Sequence, residues 1–416
     1  MMLRDVLILQ KRELKKRLAE RYIPRQAQLR QQDSNLVKVI IGPRRVGKSF
    51  FAIHQLSGFK DLGYVNFDDE RLADLTDYDE LLAAVDSVHN NPKILLLDEI
   101  QNLPKWELFA NRLSRQGYNL FITGSNAHLL SRELATHLTG RHTSVVLFPF
   151  SFPEYLKATS STELTNNEKR QKLEEYLEQG GYPEPLVKNI DRKEYLSTLF
   201  DSVIYKDILR RYKIRSPQGI VDLSQYLLSN TAMEFSYTSL SEIGHCRSVH
   251  TVQRYMGYLQ EAYLFFTLSR FSYKMRGQAG ENKKIYCIDN GLVSAKAFQL
   301  SQDRGRRYEN AVAIRLKCLE SQGGFRFFYW RNAQNEEVDF VIYKDRKVSQ
   351  LIQVCFDMAR QKVREREVRA LLKASAELEC GNLLVLTADY EAVEEIEWFG
   401  IKGKVKFMPL WKWLAE

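Results

Sequence analysis

Gly42-Pro43-Arg44-Arg45-Val46-Gly47-Lys48-Ser49 follows the apolar run Leu36 to Ile41 and leads into Phe50-Phe51-Ala52-Ile53. The eight residues fit G-x-x-x-x-G-K-[ST], in a context that reads strand, loop, helix. Glycines let the main chain curl around a phosphate, and the N-terminus of the following helix supplies N–H groups and a positive dipole end. In that frame Gly42 to Gly47 form the cradle, Lys48 reaches the β- and γ-phosphates, and Ser49 offers its hydroxyl to Mg²⁺. The stretch implies binding of a nucleoside triphosphate.

About fifty residues on comes Ile94-Leu95-Leu96-Leu97-Asp98-Glu99. Four consecutive apolar residues suit a strand covered on both faces, as in a parallel sheet. Two carboxylates at the end of such a strand are costly unless a cation or a water engages them. The pattern reads as a Walker B strand: Asp98 holds Mg²⁺ through its water shell, and Glu99 orients the water that attacks the γ-phosphate. A third apolar strand, Leu120 to Thr123, ends in Gly124-Ser125-Asn126. Asn126 is placed to hold the attacking water or sense the γ-phosphate, with Ser125 beside it; the alternative is that either caps the next helix. Arg141, in Leu138-Thr139-Gly140-Arg141, is a candidate for stabilising phosphate charge in its own subunit or in a neighbour's. The alternative there is a surface arginine.

The chain has 416 residues, enough for two or three domains. Lys and Arg number 61 against 52 acidic residues, a net charge of +9 that is compatible with a polyanionic or acidic partner without requiring one. The five cysteines (Cys246, Cys287, Cys318, Cys355, Cys380) show no C-x-x-C spacing. That argues against a zinc site and a disulfide framework, and for a reducing compartment. With no signal-peptide core and no apolar run of membrane-spanning length, the sequence reads as a cytoplasmic protein.

Before the phosphate loop, residues 5–32 read as one or two helices. The run Lys11-Arg12-Glu13-Leu14-Lys15-Lys16-Arg17-Leu18 is either a solvated helix face or a nucleic-acid arm. Asp68 and Asp69 precede a helical pattern and read as caps. Residues 170–215 look helical, with a turn at Gly180-Gly181-Tyr182-Pro183. Ser239 to Ile243 and Ser248 to Tyr255 read as helix–turn–helix, Ser248 capping the second helix. Phe265-Phe266 and Lys284 to Ile288 would be the strands of a winged helix. Such a module binds DNA or serves as a packing or protein-contact unit.

The set GPRRVGKS, ILLLDEIQ, FITGSN and LTGR resembles the AAA-type domain of a widespread family of prokaryotic ATP-binding proteins that carry a further C-terminal region. The likeness continues through FPFSFPEY (148–155), GGYPEPL (180–186), IYKDILRR (204–211), YCIDNGL (286–292), RRYENAV (306–312) and EVDFVI (337–342). It implies ATP as the nucleotide, Mg²⁺ as its metal, and hydrolysis as the chemistry. It leaves DNA, a protein partner and oligomerisation open.

The C-terminal part is similar to nucleases of the PD-(D/E)XK type, in which acidic residues on a helix and two strands hold a divalent metal and a lysine assists the water. Glu309 and Asp339 match that pattern. The remaining element reads Gln353-Val354-Cys355, which replaces a carboxylate by an amide and the lysine by a cysteine. The expected architecture is therefore α/β throughout. An AAA-type P-loop NTPase domain with a parallel sheet covers 1–156. A helical, winged-helix middle covers 157–298, and an α/β restriction-nuclease-like domain with a damaged site covers 299–416.

Overall fold

The computed structural model describes residues 2–125, 141–214, 217–246, 248–273, 282–298 and 304–416. The chain divides into two compact units. The first is built on Met1–Phe150 and the second on Ser151–Leu186, Ile190–Gln260 and Leu264–Glu416.

In the first unit the apolar runs become β1 (Val37–Ile41), β2 (Leu62–Asn66), β3 (Ile94–Asp98), β4 (Asn119–Gly124) and β5 (His142–Val146). They form one sheet in the order β2-β3-β4-β1-β5, and every pairing is parallel. The continuous burial of β1 and of Leu95 to Leu97 follows from that arrangement, since helices cover both faces of a parallel sheet. β4 lies between the strand that carries the phosphate loop and the strand that carries Asp98. All three strands point their C-terminal ends the same way, the end at which open α/β sheets bind ligands.

The basic N-terminal segment is a single helix, α1 (Leu3–Ala19). Of the one or two helices read over residues 5–32, one forms: residues 20–36 contain no helix, and Pro24 lies within them. Val6 and Leu7 of α1 join the core formed by Leu95, Leu97 and Phe109. Two of its cations bind within the domain, Lys11 donating to the Val88 carbonyl at 2.6 Å and Arg4 to Ser87 at 3.1 Å. Asp69 caps a short helical turn by accepting the Arg71 N–H. β5 starts at His142, where its pairing with Val37 of β1 begins.

The second unit opens with helices whose starts are written in the sequence. Ser151 with Glu154, and Thr165 with Glu168, form complete capping boxes on Phe152–Thr159 and Asn166–Gln179. Arg192–Ser202 runs on into a π-helical turn, Val203–Leu209. Two of the quoted motifs meet at Asp289, which accepts the Gly181 N–H at 2.7 Å and the Gly291 N–H at 2.9 Å. Gly180, at φ +73°, must be glycine there, since a Cβ would lie 2.0 Å from the Asp289 carboxylate.

Next come helix Pro217–Ser229, β6 (Glu234–Phe235), helices Tyr237–Ile243 and Val249–Glu261, β7 (Phe265–Ser269) and β8 (Lys283–Cys287). The three strands form an antiparallel sheet in the order β6-β8-β7. Ser248 accepts the Thr251 N–H at 3.3 Å at the head of its helix. Helix Arg304–Ser321 precedes a six-stranded mixed sheet of order β13-β14-β12-β11-β10-β9. Its strands are β9 (Arg326–Arg331), β10 (Glu337–Lys344), β11 (Lys347–Cys355), β12 (Leu383–Thr387), β13 (Ala392–Trp398) and β14 (Ile401–Pro409). Helix Gln361–Glu377 packs Leu371 and Leu372 on Val341, Leu351 and Val385 of that sheet.

Candidate functional site

Between β1 and helix α2 (Lys48–Gln55) the main chain makes the tight turn the glycines allow. Gly42 lies against β5's exit: a Cβ there would sit 2.1 Å from the Leu147 carbonyl oxygen. Gly47 is left-handed at φ +86° and caps α2, whose first turn begins with Phe51 N–H donating to the Gly47 carbonyl at 2.9 Å. Pro43 and Val46 are buried, Arg44 is half-buried, and Arg45 is exposed at φ +66°. Arg25, which the sequence reading passed over, holds this loop from outside. Its guanidinium donates to the Val46 carbonyl at 2.9 Å and to the Phe148 carbonyl, and lies 4.8 Å from the centre of the Phe150 ring.

Lys48 is buried, its ammonium donating to the Pro43 carbonyl at 2.9 Å and the Gly42 carbonyl at 3.3 Å. The same nitrogen lies 3.9 Å from the Glu99 carboxylate. Ser49 Oγ donates to Asp98 Oδ1 at 2.8 Å, so the first turn of α2 and the end of β3 meet through one hydrogen bond.

Asp98 is 1% exposed and surrounded by donors: Ser49, Thr123 Oγ1 at 2.5 Å, and Tyr64 OH at 3.0 Å. Arg17 of α1 lies 3.9 Å from its second oxygen and donates to Tyr64 OH at 3.3 Å. Burial, with the charge of Glu99 adding to it, pushes Asp98 above the ordinary carboxylate range, against the pull of those hydrogen bonds. A cation brought to this oxygen would reverse that push. The donor set, a serine hydroxyl beside a carboxylate, consists of hard oxygens that suit Mg²⁺. The pair therefore fits the metal.

Glu99, the residue after β3, takes a left-handed conformation at φ +50°, rare for a non-glycine residue. Its N–H donates to Thr123 Oγ1 at 2.9 Å, and Gln101 Nε2 donates to its carboxylate at 2.5 Å. Ser125 takes part through Gln101, whose amide lies 3.4 Å from Ser125 Oγ. Thr123 is thus the polar residue of β4 that engages both acids. Its signal was present: a threonine inside an otherwise apolar strand needs a partner.

Asn126 lies outside the described residues. Arg141 is exposed at the far end of the sheet, its carbonyl accepting the Val37 N–H at 3.0 Å where β1 begins. Five strand residues, about 16 Å of rise, separate that point from the phosphate loop.

A strand, a glycine turn and a helix whose serine hydroxyl is held on the carboxylate of a second parallel strand together define a P-loop NTPase. Comparison with known families agrees: the model described as "AAA domain" matches residues 34–156. Two models described as domains of unknown function, DUF8612 and DUF4143, match 170–303 and 304–412. The chain is 35% identical to the uncharacterized protein MJ1544 of Methanocaldococcus jannaschii, over 91% of this chain and 88% of that protein. It is 28% identical to an uncharacterized protein of Haemophilus influenzae, over 78% of this chain and 84% of the other. The chain belongs to the family of MJ1544. A solved structure, the replication initiator DnaA bound to AMPPCP and single-stranded DNA, aligns with 61% of this chain and 88% of its own. Its TM-score is 0.29 at 14% identity, too slight a likeness to bear on function. Among the described residues no helix is long and apolar enough to cross a membrane.

Proposed function

We propose that this chain is a Mg²⁺-dependent ATPase whose cycle controls the domains that follow its AAA domain. The contact between Ser49 and Asp98, with Lys48 and Glu99 beside it, is the observation that carries this reading. The N–H groups of the Gly42–Ser49 turn and the head of α2 take the phosphates, and Lys48 leaves its carbonyl partners for the β- and γ-oxygens. Ser49 and Asp98 would hold Mg²⁺, which would supply positive charge to the bound triphosphate. Glu99 orients and polarises the attacking water, its backbone fixed by Thr123. Asn126 remains the proposed γ-phosphate sensor. Arg141 is proposed to act only on a neighbouring copy, which makes an oligomer part of the reading. Steady-state phosphate release by the wild type, Lys48→Ala and Glu99→Gln tests it; turnover that survives both substitutions overturns it.

A second reading, a nucleotide-gated DNA-binding module with little hydrolysis, draws support from the second unit. The order helix, strand, helix, helix, strand, strand over 217–287 is that of a winged helix, and we propose that fold for the middle of the region 157–298. His250, Gln253 and Arg254 are exposed on its second helix of the pair. Tyr258 of that helix stacks on Tyr212 at 3.7 Å, next to Arg210, Arg211 and Lys213. Basic side chains beside aromatics along a helix are suited to duplex phosphates. Binding of a fluorescent duplex across a salt series, with and without nucleotide, checks this. Arg254→Ala should weaken binding and flatten the salt dependence, and unchanged binding contradicts it.

A further inference from the structure

The nuclease resemblance of the region 299–416 calls for a divalent metal held by Glu309 and Asp339. The side chains in this place do not fit one. Glu309 stands on helix Arg304–Ser321, and Glu337 and Asp339 lie two apart on β10, on one face of the strand. Among these three carboxylates sits the ammonium of Lys284, which reaches in from β8. Its Nζ is 2.8 Å from Glu309 Oε1, 2.5 Å from Glu337 Oε1 and 3.3 Å from Asp339 Oδ1, and the residue is 2% exposed.

Further hydrogen bonds engage the cluster. Tyr286, two residues along β8, donates to Glu309 Oε1 at 2.7 Å, and Val354 N–H donates to Asp339 Oδ2 at 2.9 Å. Gln353, which stands where the nuclease pattern has an acid, uses both ends of its amide. Its oxygen accepts the Asp339 N–H at 3.1 Å, and its nitrogen donates to Glu367 at 2.6 Å. A Mg²⁺ ion needs oxygens at about 2.0–2.1 Å in an octahedron, a volume that the ammonium already fills. Burial opposes the lysine's charge, but Glu309, Tyr286, Asp339 and Glu337 outweigh it and hold Lys284 well above its usual range. Among the described residues no group of three or more His, Cys, Asp and Glu side chains is disposed to hold a metal.

We propose that Lys284 is the resident cation of this carboxylate cluster, taking the place of a metal, so that the cluster ties β8 to β10 and helix Arg304–Ser321 and cleaves no DNA. A cation on a covalent stem cannot dissociate, and the sequence pattern that marks a nuclease thereby marks a structural knot. The lysine that the (D/E)-x-K element lacks at Cys355 is supplied from a strand more than fifty residues earlier, in a buried setting.

The test is Mn²⁺ binding by electron paramagnetic resonance on the nucleotide-free full chain, where any weak binding at Asp98 is common to all variants. Wild type, Glu309→Gln and Asp339→Asn should bind Mn²⁺ alike, and none should nick supercoiled plasmid in Mg²⁺ or Mn²⁺. Lys284→Met, which strips three carboxylates of their counter-ion, should gain an Mn²⁺ site at least ~10-fold tighter than any in the wild type, lost again with Asp339→Asn. A wild-type Mn²⁺ site or plasmid nicking that Asp339→Asn or Glu309→Gln abolishes overturns the proposal, as does a folded Lys284→Met chain that gains no site. Where Lys284→Met does not fold, the wild-type comparison with Glu309→Gln decides alone.

Discussion

Thr123 Oγ1 accepts the backbone N–H of Glu99 at 2.9 Å. The same hydroxyl donates to Asp98 at 2.5 Å, so one side chain of β4 fixes both acids of β3. Valine at 123 keeps the shape and removes both bonds, leaving a buried N–H without its acceptor and Asp98 with one donor fewer. Thr123→Val should cost about 1–3 kcal/mol of stability. ATP turnover should fall at least ~10-fold as Glu99 loses its anchor, while Thr123→Ser retains most of both. Thermal melting and phosphate release on the two variants check this.

Asp98 supplies the carboxylate toward which Ser49 is turned, so metal dependence should reside there. In wild type, chelating Mg²⁺ should weaken ATP binding. In Asp98→Asn, a near-isosteric change, added Mg²⁺ should no longer tighten it, because the amide brings no negative charge to the ion. Calorimetric titration of ATP with Mg²⁺ or with chelator distinguishes the two. An undiminished Mg²⁺ effect in the variant would assign the metal elsewhere.

Arg25 lies outside every motif, yet it clamps two carbonyls, one in the phosphate loop and one past β5. Charge-assisted bonds of this kind are worth about 1.5–3 kcal/mol each to the structure they hold. Arg25→Met should loosen the loop and weaken nucleotide binding ~10-fold without changing the chemistry at Glu99. The measurement is the split between nucleotide affinity and single-turnover rate, and a variant that loses rate alone contradicts the assignment.

His89, at the end of helix α3 (Tyr78–His89), has its Nε2 buried without a hydrogen-bond partner. Burial, and then the charge of Lys11, lower it to about 4 against the partial support of the Leu62 carbonyl. Between that value and its ordinary one the unfolded chain binds a proton that the folded chain refuses. Stability from this group is therefore full above about pH 6.5 and is lost as pH falls toward 4. His89→Gln should flatten the acid limb of a denaturation series by up to one proton, with neutral stability little changed.

The glycine turn after β1 and the acid-tipped strand β3 were readable because each is contiguous: a turn, a helix start or a strand end lies within eight residues. The capping boxes at Ser151 and Thr165 were equally local, though they were not singled out. What could not be read is what the topology brings together. Tyr64, Arg17 and Thr123 converge on Asp98 from β2, α1 and β4, and Arg25 reaches the loop from a segment the sequence suggested was helical. The clue was chemical: Thr123 and Tyr64 are polar groups in strands that must be dry. In the second unit Gln353 and Cys355 depart from the nuclease pattern that the sequence resembles, while Lys284 entered only through strand pairing.

Single-turnover hydrolysis of ATP with Mg²⁺, alongside ATP binding, on wild type, Glu99→Gln and Lys48→Ala tests the proposed ATPase most directly. Wild type should hydrolyse, Glu99→Gln should bind ATP with unchanged affinity but turn over ~10²-fold or more slowly, and Lys48→Ala should no longer bind. Wild-type turnover at the rate of Glu99→Gln, or ATP bound as tightly by Lys48→Ala as by wild type, would contradict it.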